Sequence, residues 1–214
     1  MIVLKYEKTG RACFISHIDL LKHTARTIRR AGIPVKFSNG FSPHALLFFS
    51  APLALGVSST AEYLTMDTDM QADEVLARFN ANCPEGLKAN AVFTVEKNPN
   101  LQGRVTASDY VFPTAYKDID LSQGFVISYK KKGEVVEEEV SDKIYGVYSA
   151  KGKLCLRLAT GNTNLRPDRL LARLNEILGD EMTAPNIVKV VQYANIDGKF
   201  EEVDSLLSAD VQNK

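Results

Sequence analysis

Phe14-Ile-Ser-His-Ile-Asp-Leu-Leu-Lys-His-Thr-Ala-Arg-Thr-Ile-Arg-Arg-Ala-Gly-Ile-Pro34 carries a helix with both of its ends written into it. Ser16 is a good N-cap residue, and Asp19 three places on forms a variant of the capping box. Gly32 stops the helix, and Pro34 forbids its resumption. Ile18, Leu21, Ala25 and Ile28 recur at helical spacing and predict a face packed on a sheet. Upstream, residues 2–7 and 11–15 read as two short strands joined at Lys8-Thr9-Gly10.

Downstream the alternation of element types continues. Residues 33–37 are extended, Ser38-Asn39-Gly40 turns the chain, and residues 46–51 are apolar enough for a buried strand. Residues 59–67 alternate as a strand, with Ala61, Tyr63 and Thr65 on one face and Glu62, Leu64 and Met66 on the other. A second helix over 72–82 turns Val75, Leu76 and Phe79 inward, and Pro84 and Gly86 end it before a strand at 87–96. The order β-α-β-β-α-β predicts an α+β chain whose N-terminal half is ferredoxin-like.

The polar stretch 97–104, KNPNLQGR, is the best domain boundary. It divides a first domain, 1–97, from a second at 104–207, with a frayed tail at 208–214. Strands are expected at 105–112, 124–130, 134–140, 144–150, 153–159 and 187–195, with a helix at 167–178 opened by Pro167. This half is more β-rich, and a second, decorated ferredoxin-like unit is its expected fold.

The 214 residues are 45% hydrophobic and 24% charged with no net charge, the composition of a soluble globular protein. The charge is unevenly placed. Residues 1–50 hold eight basic side chains against two acids, Glu7 and Asp19, and also all three histidines. A local cationic excess is the footprint of phosphate binding. Cys13, Cys83 and Cys155 are far apart and in no CxxC pair, which excludes a zinc ribbon or a self-contained iron–sulfur site and fits a reducing compartment. The N-terminus lacks a signal-peptide core and no apolar run reaches membrane-spanning length, so a cytoplasmic protein without membrane contact is expected. Metal, nucleotide and cofactor motifs are absent from the sequence, and no cofactor is expected.

The residues able to carry chemistry cluster before position 63. Lys22, Arg26, Arg29 and Arg30 form an outward cationic stripe suited either to solvent or to a phosphate backbone. His17 sits in the first helical turn, where the dipole disfavours its protonated form. Asp19 either orients that ring or simply caps the helix. In the loop that follows, Gly40 allows close backbone approach, and Ser38 and Ser42 supply hydroxyls. Phe37 and Phe41 offer either stacking faces or packing beneath the turn, and His44 a ligand contact. Two histidines near a phosphate would also suit acid–base cleavage of RNA by His17 and His44.

Taken together, Phe14-Ile-Ser-His-Ile-Asp-Leu-Leu21, Ile28-Arg-Arg-Ala-Gly-Ile-Pro34, Ser38-Asn-Gly-Phe-Ser-Pro-His44 and Pro52-Leu-Ala-Leu-Gly-Val57 with Glu62 resemble a bacterial family of unknown function, the radical-SAM-linked proteins. Downstream the likeness thins to Asp109-Tyr110 and Arg166-Pro-Asp-Arg-Leu170. The resemblance implies partnership with a radical SAM enzyme. It also implies RNA modification or ribosome biogenesis, on tRNA or rRNA, by genomic association. It marks Ser16, His17, Asp19, Arg29, Arg30, Ser38, Gly40, Phe41, Ser42, Pro43, His44 and Glu62 as its functional positions. The family continues Pro-Lys after the Pro-His pair, where this chain has Ala45-Leu46. A cation beside His44 is therefore missing.

At fold level the expected tandem also resembles the RAMP proteins that process CRISPR RNA. The leading expectation is a non-catalytic, RNA-binding or substrate-presenting accessory, with Arg26 added to the positions above. A His17/His44 RNA-cleaving or RNA-modifying enzyme and a protein-docking scaffold are the alternatives.

Overall fold

The computed structural model describes residues 1–212. Strand β1 (Ile2–Lys8) leads into helix α1 (His17–Arg30), then β2 (Leu47–Phe49), β3 (Ser58–Met66), helix α2 (Ala72–Asn82) and β4 (Ala89–Thr94). The spatial order is β4-β1-β3-β2, every pair antiparallel. β1 and β2, joined through α1, are thus held apart by β3, as a split βαβ unit requires. Leu20 and Ile28 of α1 and Val75 and Phe79 of α2 pack on Ile2, Leu4, Leu64 and Met66 of β1 and β3.

After a short helix α3 (Leu101–Arg104) come β5 (Val105–Ala115), the hairpin β6 (Val126–Lys131) and β7 (Glu134–Glu139), β8 (Ile144–Ala150) and β9 (Lys153–Ala159). Helix α4 (Leu171–Leu178), strands β10 (Val188–Ile196) and β11 (Lys199–Glu202), and helix α5 (Val203–Gln212) complete the chain. The strand order β10-β5-β9-β8, again all antiparallel, repeats the order of the first half. Here the hairpin β6–β7 stands where the first half has α1. Ile127 of β6 and Val140 just past β7 share a core with Leu174 and Leu178 of α4 and with Phe112, Leu156 and Leu158. The chain is thus α+β, and both halves build one sheet of nine strands.

The join lies on the outer edge of β3. β2 is only three residues long and covers Leu64–Met66, while β10 pairs in parallel with Ser58 and Ser59. Between them the ladder is completed by side chains. Gln192 Nε2 donates to Ser50 Oγ at 3.2 Å and to the Ala61 carbonyl, both fully buried. On the opposite sheet face α5 places Val203 and Leu207 over Val3, Ala61 and Tyr63. Asp204 anchors it by accepting from Tyr63 Oη at 2.7 Å and Lys5 Nζ at 2.5 Å.

Several expectations are corrected. Residues 11–15 are not a strand, because Gly10–Phe14 form a 3-10 turn that returns the chain to α1. Thr9 pairs with Gly86 there, its N–H donating to the Gly86 carbonyl at 2.9 Å. Gly86 has φ +78°, and a Cβ on it would lie 2.2 Å from the Thr9 carbonyl oxygen, so only glycine fits. Ile18 is 64% exposed, whereas Leu20, Thr24, Thr27 and Ile28 face inward. The apolar pattern misplaced the helix rotation because two inward positions are threonines. The tail expected to fray from residue 208 is helical through Gln212, and residues 213–214 lie outside the described residues. In β5, Pro113 has no N–H to donate, and the pairing with β9 skips from Val111 to Ala115 around it. Among the described residues no helix is long and apolar enough to cross a membrane.

Candidate functional site

α1 is flanked by two cavities, one near each end. At its N-terminus Ser16 caps the helix, accepting from the Asp19 N–H at 3.2 Å and donating to Asp19 Oδ2 at 2.7 Å. Asp19 is exposed and engaged in that cap, with Lys22 4.0 Å away. Of its two expected roles it performs the cap.

His17, half-buried at the first helical position, lines a small cavity of about 10 Å³ with Tyr6, Lys8, Leu20, Phe49, Ser50 and Glu62. Its ring meets Phe49 edge-on at 6.0 Å. Burial, reinforced by the Lys8 charge and opposed by Glu62, pushes its pKa down. A neutral imidazole results, as the sequence suggests, although burial rather than the helix dipole is the main cause.

Beneath His17 lies a buried ionic cluster. A register shift in the β1–β3 pairing, from Tyr6↔Glu62 to Lys8↔Ser59, sets two residues of β3, Thr60 and Ala61, against one of β1, Glu7. Bulges of this kind re-aim side chains beside functional sites. Lys8 is buried and donates to the Ile15 carbonyl at 2.7 Å. Burial lowers its pKa, Glu62 opposes that shift, and Lys189 adds to it. Glu62 Oε1 lies 2.6 Å from Lys189 Nζ, with side chains only 5% and 1% exposed. At that distance the carboxylate and the ammonium are in direct ionic contact. Of the two buried ammonium groups, Lys189 thus pairs with the carboxylate directly, and Lys8 feels its charge without contacting it.

Sequence reasoning found Glu62 and His17 here but missed Lys8 and Lys189. The available signal was Lys189 inside the apolar run Ile187-Val-Lys-Val-Val191, where a charge has no place unless it is paired.

The second cavity is a groove of about 580 Å³ beside the C-terminal half of α1. Its lining includes Ile28, Ile33 and Val35, with Arg29, Phe37 and His44 as its charged, aromatic and imidazole members. The loop that brings His44 here is a narrow hairpin. Leu46 N–H donates to the Lys36 carbonyl at 2.9 Å, Ser38 N–H to the His44 carbonyl at 2.9 Å, and Phe37 bridges Ala45. Ser38 Oγ accepts from the His44 N–H at 3.1 Å and lies 2.8 Å from His44 Nδ1.

The tip of this hairpin projects away. Gly40 has φ +115°, which the turn requires, and Phe41 and Ser42 are exposed, Phe41 fully so. Arg26 and Arg29 are exposed and have no acidic partner among the described residues. Arg30 differs. It donates to Thr27 Oγ1 at 3.1 Å and to the Asn82 carbonyl at 2.8 Å, capping the C-terminus of α2.

The proposed residues therefore gather in three places. His17 and Glu62 meet in the small cavity, Arg29 and His44 (positioned by Ser38) in the groove, and Gly40, Phe41 and Ser42 at the hairpin tip. No residue lines both cavities. Arg30, His17 and His44 do not converge, and Ser16, Asp19 and Arg30 make capping contacts. Among the described residues no three His, Cys, Asp or Glu side chains group as a metal site requires.

No curated protein matches the chain. A family model matches it over residues 1–167, which takes in α1, both cavities and the central strands up to β9. The chain belongs to that family, described as an uncharacterized protein conserved in bacteria (DUF2344).

Proposed function

We propose that this protein binds RNA through the groove beside α1 and the cationic flank of that helix, acting as a non-catalytic accessory to a radical SAM enzyme. The observation that carries the RNA reading is the groove itself. Its apolar floor and the half-exposed Phe37 suit an unpaired base, while Arg29 and the His44 ring offer donors to a phosphate or a base edge. The volume lies in the range of small-ligand sites. Arg26, exposed and unpaired by acid among the described residues, extends the positive surface along the helix. The radical SAM partnership, and with it a role in tRNA or rRNA modification or ribosome biogenesis, is supported by the sequence resemblance alone.

Fluorescence anisotropy with a labelled single-stranded RNA decamer tests the first part. Binding should be present at low salt and weaken as salt rises. The double variant Arg26→Ala/Arg29→Ala should lower the slope of log K on log salt by about 1.4, two single-strand phosphate contacts. Absence of RNA binding at low salt ends this reading. Co-expression with a radical SAM enzyme from the same genome, followed by size-exclusion chromatography, tests the second. Separate elution of the two proteins, with and without RNA, counts against it.

A further inference from the structure

Arg166-Pro-Asp-Arg-Leu170, in the second half of the chain, belongs to neither cavity of α1. Pro167–Leu170 is a 3-10 turn, anchored by the buried Pro167 and Leu170. The Arg169 N–H donates to the Arg166 carbonyl at 3.1 Å. Side chains three apart eclipse in such a turn, so Arg166 and Arg169 stand side by side. Both line an open cavity of about 270 Å³ between the turn and β6, together with Ser128, Tyr129, Lys130 and Asp168.

The two arginines are held in place by their neighbours. Arg166 donates to Asp168 through Nε at 3.0 Å and Nη2 at 2.5 Å, which occupies both carboxylate oxygens and leaves Nη1 without an acceptor among the described residues. Arg169 lies 3.9 Å over the Tyr129 ring. That ring is fixed in turn, because its hydroxyl donates to Glu138 Oε2 at 2.8 Å while Lys143 holds Glu138 Oε1. Glu138 is thus engaged on both oxygens. The Arg169 guanidinium itself makes no hydrogen bond or ion pair among the described residues. Stacking of this kind uses the face of the guanidinium and leaves its N–H edge to a ligand. Lys130 is exposed and also unpaired among the described residues.

The charge of the lining narrows the ligand class. Three cations face one carboxylate, a surplus of two positive charges. A carboxylate or a phosphodiester would neutralise one of them. A phosphate monoester carries close to two negative charges at neutral pH and three acceptor oxygens, and the forked donors of arginine match it. The Ser128 hydroxyl adds a neutral donor.

We propose that the cavity between β6 and the Arg166–Leu170 turn binds a phosphate monoester through Arg169, Arg166 and Lys130. The monoester is either a free small molecule or the terminal phosphate of a nucleic-acid strand. The site shares no residue with the groove beside α1 and does not depend on the RNA reading above.

Isothermal titration calorimetry on the whole protein, at constant ionic strength and neutral pH, compares AMP, inorganic phosphate, cyclic AMP and adenosine. AMP and phosphate should bind, cyclic AMP more weakly as a diester, and adenosine not at all. Arg169→Met keeps an apolar contact with Tyr129 and should weaken AMP by about tenfold or more, the worth of a charge-assisted hydrogen bond. Lys130→Met, on the exposed side of the cavity, should weaken it less. Arg173→Met removes a neighbouring cation, paired with Glu176 and outside this lining, and should change nothing. RNA decamers with a 5′-phosphate and a 5′-hydroxyl separate the two sources. A 5′-phosphate advantage that Arg169→Met removes identifies the strand end, and AMP binding without that advantage identifies the free molecule. AMP binding no tighter than adenosine, or unchanged in both Arg169→Met and Lys130→Met, overturns the inference. Failure of both decamers to bind would remove the RNA reading and leave the AMP titration decisive here.

Discussion

Replacing Glu62 with Gln removes the one carboxylate among two buried ammonium groups. Glu62 and Lys189 are 2.6 Å apart with almost no exposure, so solvent screens their attraction little. Lys8, also buried, donates to the Ile15 carbonyl. After the substitution two like charges remain buried beside a neutral amide. Loss of one member of such a pair typically costs about 3–5 kcal/mol, because the partner is left buried without compensation. In a chain of 214 residues, at roughly 2–4 °C per kcal/mol, the melting temperature should fall by about 6–20 °C.

Urea denaturation followed by circular dichroism measures the loss as a shift in midpoint at constant slope. The double variant Glu62→Gln/Lys189→Met then isolates the pair. It should recover much of the loss, giving a coupling energy of about 2–3 kcal/mol. A Glu62→Gln loss below about 1 kcal/mol, or a double variant no better than the single, would refute the buried pair.

Three further outcomes follow from the same contacts. His17 has a lowered pKa in the folded state, so the unfolded chain takes up the proton first; stability should fall as the pH drops below about 6.5, and the fall should be shallower in His17→Gln when urea midpoints are compared across that window. Gly86→Ala forces a Cβ to within 2.2 Å of the Thr9 carbonyl at φ +78° and should cost about 2 kcal/mol or more, whereas Gly133→Ala, with open space around its Cβ, should cost only its backbone strain. Arg157 holds the buried Asp109 with two hydrogen bonds of 2.8 and 3.1 Å while lying 3.9 Å over the Tyr193 ring, so Arg157→Met should cost about 3 kcal/mol by thermal melting, and Tyr193→Phe less, because only the 2.6 Å hydroxyl bond to Asp109 is lost.

Local chemistry made much of the fold legible. Ser16 and Gly32 bound α1, Pro167 opens the turn before α4, and strand periodicity placed β3, β5, β8, β9 and β10 close to where they lie. These are short-range effects, decided by a cap, a missing N–H or side-chain alternation over a few residues. The rotation of α1 was less legible because Thr24 and Thr27 are polar by type yet small enough to pack inward. β11 and α5 were missed because their stability lies in distant partners, with Asp204 bonded to Tyr63 and Lys5, and Val203 packed on the far face of β1 and β3.

The candidate site divides in the same way. From sequence alone came a cationic helix flank, a capped N-terminus bearing His17, and a loop carrying His44. Their relative placement required the sheet. Arg30 has the same chemistry as Arg29 one position earlier, yet a rotation of about 100° turns it to the C-terminus of α2 and leaves Arg29 at the groove. Glu62 reads as one more polar residue on an alternating strand until β10 arrives alongside β3 and delivers Lys189, 127 positions later in the chain. An ion pair between residues so far apart leaves little trace in either neighbourhood. It exists only because the second half of the chain closes the edge that the three-residue β2 leaves open.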